Sequence, residues 1–318
     1  MEKDPSGCGR RETIPAERHR SRAFVPDPPR AGNAMAARSI ARMPAPRIRL
    51  AIAFTAVVAL GVGAAAAHGQ GDDQVRFLVK GDWGIGSSAQ SAVTRQMCRS
   101  HARAPARFIL TTGDNFYVPD GRATRANFFR PEACLISAGL PWRAAWGNHD
   151  LGGSSTATQL KSPRRWYTFT EGPMRVVVLD GNRPGSRAQL AFLRRTLQRA
   201  TEPVRVAVIH QPPYTAGLHR PSTTQQRLMV PLFRRHGVAL VLSGHNHSYE
   251  RMVVGGVTYI VTGGGGAQVY PCVRVPPGLR TCRPENHFLE VDASSSGLRV
   301  RAVRRNGATI EDVQVPAR

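Results

Sequence analysis

From residue 75 onward the sequence predicts an α/β domain built as two packed sheets flanked by helices. Three observations carry that expectation. Short apolar strands alternate with amphipathic stretches, five of the strands end in clusters of Gly, Asp, Asn and His, and the late strands follow one another without helices between them.

The strand candidates are 75–80, 107–112, 142–146, 175–179, 204–209, 238–242, 257–262, 288–291 and 298–303, mostly short apolar runs bounded by turn formers. Helices are expected over 87–101, 186–200 and 223–236. In the second of these Leu190, Leu193 and Leu197 share one face at the i, i+3, i+7 spacing. Ser186 and Ser222 stand where N-caps belong. The final strands read as antiparallel hairpins packed on the same core.

Residues 1–42 are rich in Arg, Pro, Ala and Gly with no apolar period, and read as a disordered or mis-assigned extension. Met43 then precedes Arg47 and Arg49, an apolar run over 50–67 and the small residues Ala65-Ala66-Ala67 before His68. That order outlines a signal peptide over 43–67, which leaves 68–318 as the folded domain of a secreted or cell-surface protein. The run is as long as the shortest membrane-spanning helices, roughly 17 residues, so contact with a membrane is expected only if the segment is retained.

The formal net charge is +23, which favours anionic partners through long-range attraction. The arginines are spread along the chain rather than clustered with aromatics, so a nucleic-acid face is not indicated. Of the five cysteines, Cys8 lies in the leading extension, and Cys98, Cys134, Cys272 and Cys282 form an even set in a chain expected to be exported. Cys272 and Cys282 bracket the Pro/Gly stretch Val275-Pro276-Pro277-Gly278 and are expected to pair, leaving Cys98 with Cys134. None has zinc-finger spacing.

The chemistry is concentrated at the strand ends: Gly81-Asp82-Trp83-Gly84, Gly113-Asp114-Asn115-Phe116-Tyr117, Gly147-Asn148-His149-Asp150, His210-Gln211-Pro212-Pro213 and Gly244-His245-Asn246-His247. One such cluster would be an ordinary turn. Five at the carboxyl ends of strands are expected to converge on the crevice where α/β sheets bind ligands. Carboxylate, imidazole, amide and phenol donors without thiolates suit iron, zinc or manganese, and seven donors exceed the needs of one ion. Two ions about 3.5–4 Å apart are a known arrangement for displacement at phosphate esters.

In this order the motifs resemble those of the purple acid phosphatases within the calcineurin-like metallophosphoesterases, over residues 81–247. Tyr117, three residues after Asp114, is similar to the marker of that branch, and the match is closest to its small, mammalian-type, tartrate-resistant form. The resemblance implies a four-layer sandwich of two mixed sheets flanked by helices. It implies a ferric ion held by Asp82, Tyr117 and His247, a divalent iron, zinc or manganese ion held by Asn148, His210 and His245, and Asp114 bridging both. It further implies that His149 contacts the phosphate and helps protonate the leaving alcohol, and that His219, nine residues after His210, is a histidine beside the ligands, either of the two assisting departure of the alkoxide.

Asp150 is expected to hold a ligand histidine in its metal-binding tautomer. Asn246, Tyr249 and Glu250 are expected to serve the local turn and strand. The Gly263-Gly264-Gly265-Gly266 run lacks the Lys-Ser/Thr of a P-loop and reads as structural. The implied activity is that of a monomeric, exported acid phosphatase hydrolysing small phosphate monoesters with a metal-activated water. A phosphodiesterase or nucleotidase with the same metal pair, and a surface module that binds anionic polymers, are the alternatives.

Overall fold

Along residues 75–80, Phe77 and Val79 point to one side and Leu78 to the other, and all three are fully buried. A strand buried on both faces needs a layer on each side. Every central strand repeats the pattern, and the fold follows from it.

The computed structural model describes residues 74–318, so the extension and the signal segment lie outside the described residues. The chain runs β1 (Val75–Lys80), α1 (Ser88–Arg103), β2 (Ile109–Thr111), α2 (Ala133–Ser137), β3 (Trp142–Ala144), α3 (Ser155–Thr158), β4 (Tyr167–Glu171), β5 (Met174–Leu179), α4 (Arg187–Arg199) and β6 (Val204–Ile209). It continues through α5 (Thr223–Leu228), α6 (Val230–Arg235), β7 (Val238–Ser243), β8 (Tyr249–Val254), β9 (Val257–Thr262), β10 (Leu279–Arg283), β11 (His287–Ser294), β12 (Gly297–Arg304) and β13 (Thr309–Pro316).

One sheet has the order β13-β12-β11-β1-β2-β3 and the other β10-β8-β9-β7-β6-β5-β4. Strands β1, β2 and β3 are parallel, as are β5, β6 and β7, so both sheets point carboxyl ends in the sense their sequence order requires. In the first sheet β11, β12 and β13 are antiparallel and β11 joins them to β1; in the second, β10, β8 and β9 pair antiparallel and β9 joins them, parallel, to β7.

Phe77, Val79, Val176, Val178, Val206 and Val208 belong to the core between the sheets. Their neighbours Val177, Leu179, Ala207 and Ile209 face outward onto Leu193, Leu197 and Phe233 of α4 and α6. On the other sheet Leu78 and Ile109 pack on Val93 and Met97 of α1. The result is the expected four-layer α/β sandwich with helices outside two mixed sheets.

Ser186 and Ser222 cap their helices, accepting from the backbone N–H of Gln189 and Gln225 at 3.4 Å each. The helix expected over 223–236 is instead two, α5 and α6, meeting at Met229. Pro231 has no N–H to donate and its ring crowds the carbonyl four residues back, which breaks the run. Strands β4, β8, β10 and β13 are additions to the expected list, and β2 and β3 are shorter than the expected 107–112 and 142–146. Both disulfides form as expected, Cys98–Cys134 and Cys272–Cys282, each with Cα atoms 6.3 Å apart. Among the described residues, no helix is long and apolar enough to cross a membrane.

Candidate metal centre

The five motifs leave the ends of β1, β2, β3, β6 and β7, and the loops they open lie against one another. Close backbone approach makes this possible. A methyl group at Gly147 would collide with Asp114, and one at Gly244 with Asp82, so only glycine lets these loops meet.

Among the described residues, four that are not glycine hold a positive φ in the left-handed region, and three of them are Asp82, Asp114 and His245. Such backbone costs on the order of 1–3 kcal/mol per residue and persists where the surroundings impose it, typically at functional sites. The strain sits on the residues with the chemistry.

Two groups of donors result. In the first, the Tyr117 hydroxyl donates to Asp82 Oδ1 at 3.1 Å and lies 2.9 Å from His247 Nε2, which is itself 3.3 Å from Asp82 Oδ1. In the second, His210 Nε2 lies 3.2 Å from both Asn148 Oδ1 and Asp114 Oδ2. The donor atoms of Asp114, His210 and His245 all fall within 4.8 Å of one another. All seven expected ligands therefore line one crevice, with Asp82 and His210 fully buried and Asn148 exposed at its mouth.

The histidines are aimed by backbone carbonyls. His210 Nδ1 meets the Thr112 carbonyl at 2.9 Å and His247 Nδ1 meets the Gln268 carbonyl at 2.6 Å, which leaves each Nε2 turned into the crevice. Asp150 does not perform this task. Its carboxylate accepts from the backbone N–H groups of Asn115 and Gly147, the Asn115 amide and the Thr156 hydroxyl, lacing the loops after β2 and β3 together. Burial and then the Asp114 charge push its carboxyl up to about 6.

The electrostatics call for cations. Asp82 and Asp114 are both buried, and among the described residues neither is paired with Lys or Arg. Burial pushes the Asp82 carboxyl up. Burial acts the same way on Asp114, but His210 and the His149 amide outweigh it and hold that carboxyl at about 2. For His210, burial opposes the charge and Asp114 overrides it, raising the imidazole to about 9. Burial and the two carboxylates push the Tyr117 phenol upward, so only a strong cation could draw off its proton. The donor set fits a metal pair.

Two further histidines flank the cluster. The His149 amide donates to Asp114 Oδ1 at 2.9 Å, while its ring lies 4.4 Å from that of Tyr117 and is half exposed. The His219 ring lies 4.4 Å from that of His245 on the other side. Residues not singled out from sequence complete the wall: Tyr270 stacks on His247 at 4.1 Å and meets His219 edge-on at 5.3 Å. Asn246 and Glu250 do more than serve their own turn and strand. Asn246 Oδ1 accepts from the His219 amide, and Glu250 accepts from the Thr215 hydroxyl and the Ala216 amide. The glycine run 263–266 is structural, as expected: side chains there would collide with Asn246, His287, Gly81 and Gln90.

A four-layer sandwich with such a crevice at its strand ends defines a metallohydrolase of phosphate esters. The chain belongs to the calcineurin-like phosphoesterase family, whose model matches residues 75–249. Tartrate-resistant acid phosphatase type 5 of Oryctolagus cuniculus is 28% identical over 236 residues, 60% of this chain and 73% of that one. In fold the chain is similar to purple acid phosphatase PPD1 from yellow lupin, with a TM-score of 0.65 at 16% identity, covering 77% of this chain and 54% of that one. It is equally similar to GAP50 of Plasmodium, titled the anchor in the inner membrane complex, with a TM-score of 0.66 at 20% identity, covering 77% and 90%.

Proposed function

We propose that the protein is an exported acid phosphatase that hydrolyses small phosphate monoesters at a pair of metal ions. The observation that carries this reading is the meeting of the Tyr117 hydroxyl with Asp82 and His247 in one buried corner. Asp82, Tyr117 and His247 would hold a ferric ion; Asn148, His210 and His245 would hold a divalent iron, zinc or manganese ion; Asp114 would serve both. When bound, the pair supplies charge for the phosphate and activates the attacking water.

The protein's own residues do the rest. The Thr112 and Gln268 carbonyls fix His210 and His247 in the tautomer that offers Nε2 to the crevice. His149, held by its amide to Asp114 yet open to solvent, is placed to pass a proton to a departing alkoxide at one side, and His219 is placed to do so at the other. Tyr270 and Tyr117 wall the crevice and limit water around the ester. Two disulfides agree with an oxidising compartment, which supports the export reading.

Colour tests the reading. A phenolate on ferric iron gives a visible charge-transfer band, so oxidised, iron-replete protein should be pink to purple, and Tyr117→Phe should bleach it even with iron still bound. A sample with both metals and no such band would defeat the ferric assignment. His149→Ala should lower turnover of p-nitrophenyl phosphate roughly 100-fold with both metals retained, as loss of a general acid does. Loss of metal in that variant would make His149 structural.

A further inference from the structure

The segment from Thr215 to His219, which carries the histidine read above as assisting departure of the alcohol, belongs to no helix or strand. Something else must hold it. Glu250 anchors its beginning, and Asn246 holds its end, accepting from the His219 amide at 2.8 Å and donating to the His219 carbonyl at 3.1 Å. Those contacts secure one side of the segment. The carbonyls of Gly217, Leu218 and His219 converge on the other side, and there they meet a single guanidinium, that of Arg274.

Arg274 Nη1 donates to the carbonyls of Gly217 and His219, the latter at 2.8 Å, and Nη2 donates to the Leu218 carbonyl at 3.1 Å. Among the described residues no carboxylate pairs with it, which leaves the fork to the backbone. The backbone beside it follows suit: the amides of Val273 and Arg274 both donate to the Ala216 carbonyl, at 2.8 and 3.1 Å. Arg274 in turn lies in an irregular stretch between β9 and β10 that the Cys272–Cys282 bond closes into a short loop.

We propose that Arg274 is a positioning residue for His219, clamping the three carbonyls of residues 217–219 from a loop held in place by the Cys272–Cys282 bond. This rests on the hydrolytic reading above, in which His219 assists departure of the alcohol. The planar fork matters because its two terminal nitrogens span three acceptors in a fixed geometry, which the single nitrogen of an ammonium reproduces only in part. With His219 gripped by Asn246 on one side and Arg274 on the other, its ring is kept against His245.

The test is a double-mutant cycle in the full protein loaded with both metals. Arg274→Ala should lower kcat on p-nitrophenyl phosphate about 10-fold, within the penalty that small misplacement of a catalytic group brings, with KM and metal content unchanged. Arg274→Lys should recover part of that loss, and the Cys272→Ser, Cys282→Ser double variant should lower kcat in the same direction. In a His219→Ala background, Arg274→Ala should cost nothing further, because the residue it positions is gone.

A loss of equal size in both backgrounds, or an unchanged kcat in Arg274→Ala, would overturn the proposal. Hydrogen exchange separates this from the reaction assignment: Arg274→Ala should speed exchange of the His219 amide whether or not the ester is the right one. Faster exchange in a protein without turnover would support the clamp and refute the monoesterase reading; unchanged exchange would refute the clamp.

Discussion

Lys80 and Asp82 stand two residues apart at the end of β1, both fully buried, and the fold treats their charges in opposite ways. Lys80 has a complete set of partners. Its ammonium lies 2.5 Å from Glu132 Oε2 and 3.9 Å from the Trp83 ring centre, and Glu132 also accepts from Gln90 and Thr94. Among the described residues the Asp82 carboxylate meets the His247 imidazole, the Tyr117 hydroxyl and the His245 amide, with His210 and the Asp114 carboxylate close by. A buried charge costs several kcal/mol unless it is paired. The chain supplies a counter-charge for Lys80, whereas among the described residues no Lys or Arg pairs with Asp82. One cluster is neutralised by the protein's own side chains, and the other gathers carboxylates with histidines and a phenol in place of Lys or Arg.

The largest effect expected from this contrast is at Asp82. Asp82→Asn should weaken metal binding and reduce turnover roughly 10,000-fold, equivalent to about 5.5 kcal/mol. Yet the metal-free variant should unfold at a higher temperature than metal-free wild type, because burial already pushes the Asp82 carboxyl up and the amide removes the charge. A metal-free Asn variant less stable than wild type would show that the carboxylate belongs to the framework.

Glu132 should behave in the reverse sense. Glu132→Ala strands a buried ammonium and should cost roughly 3–5 kcal/mol in urea unfolding, while the folded fraction keeps its metals and specific activity. Replacing both partners, Lys80→Met with Glu132→Leu, should recover most of that stability. If the double variant is as unstable as the single one, the pair is not an isolated unit.

How much of this contrast is visible in sequence follows from its physical origin. The convergence of the expected donors was legible because each motif follows an apolar strand that delivers it to the same crevice, as Asp82 follows β1 and His210 follows β6. The strands of both sheets were legible where they are buried on both faces, as in β6 and β7, and not where they lie at an edge or pair late, as in β4, β10 and β13. Strand β8 was missing from the expected strands because it begins only two residues after His247, where the motif's turn and the strand's first residues, Tyr249 and Glu250, run together. Asp150 shows the other limit. Its neighbour Asn148 faces the crevice, but a tight 3₁₀ turn over His149–Gly152 sends the Asp150 carboxylate inward to backbone amides. Tyr270 and Arg274 had no local signal at all, since only the path of the disulfide-closed loop brings them to His247 and His219.

His287 offers a third way to settle a buried ionisable group, by keeping it neutral, and yields the smallest of the expected effects. Its ring is fully buried beneath Gly264, with Nδ1 2.8 Å from the Glu285 carbonyl and Nε2 3.0 Å from the Thr262 hydroxyl. A neutral imidazole satisfies both, donating from Nδ1 and accepting at Nε2, whereas the cation would present a second donor to a hydroxyl already aimed as one. Burial accordingly lowers the imidazole to about 4. The sign of the stability effect follows. The unfolded chain takes up this proton below about pH 6.5 and the folded chain only near pH 4, so stability falls as the pH drops through that window, by about 3 kcal/mol in all. His287→Gln keeps a donor and an acceptor without the titration, so its stability should fall less between pH 7 and pH 4.5 than that of wild type, even if it starts lower. Urea unfolding of both proteins at several pH values in that range isolates the difference, because every other titrating group is common to the two. Parallel curves would mean that His287 accepts its proton in place, and that the acid tolerance of an enzyme read as an acid phosphatase is limited elsewhere.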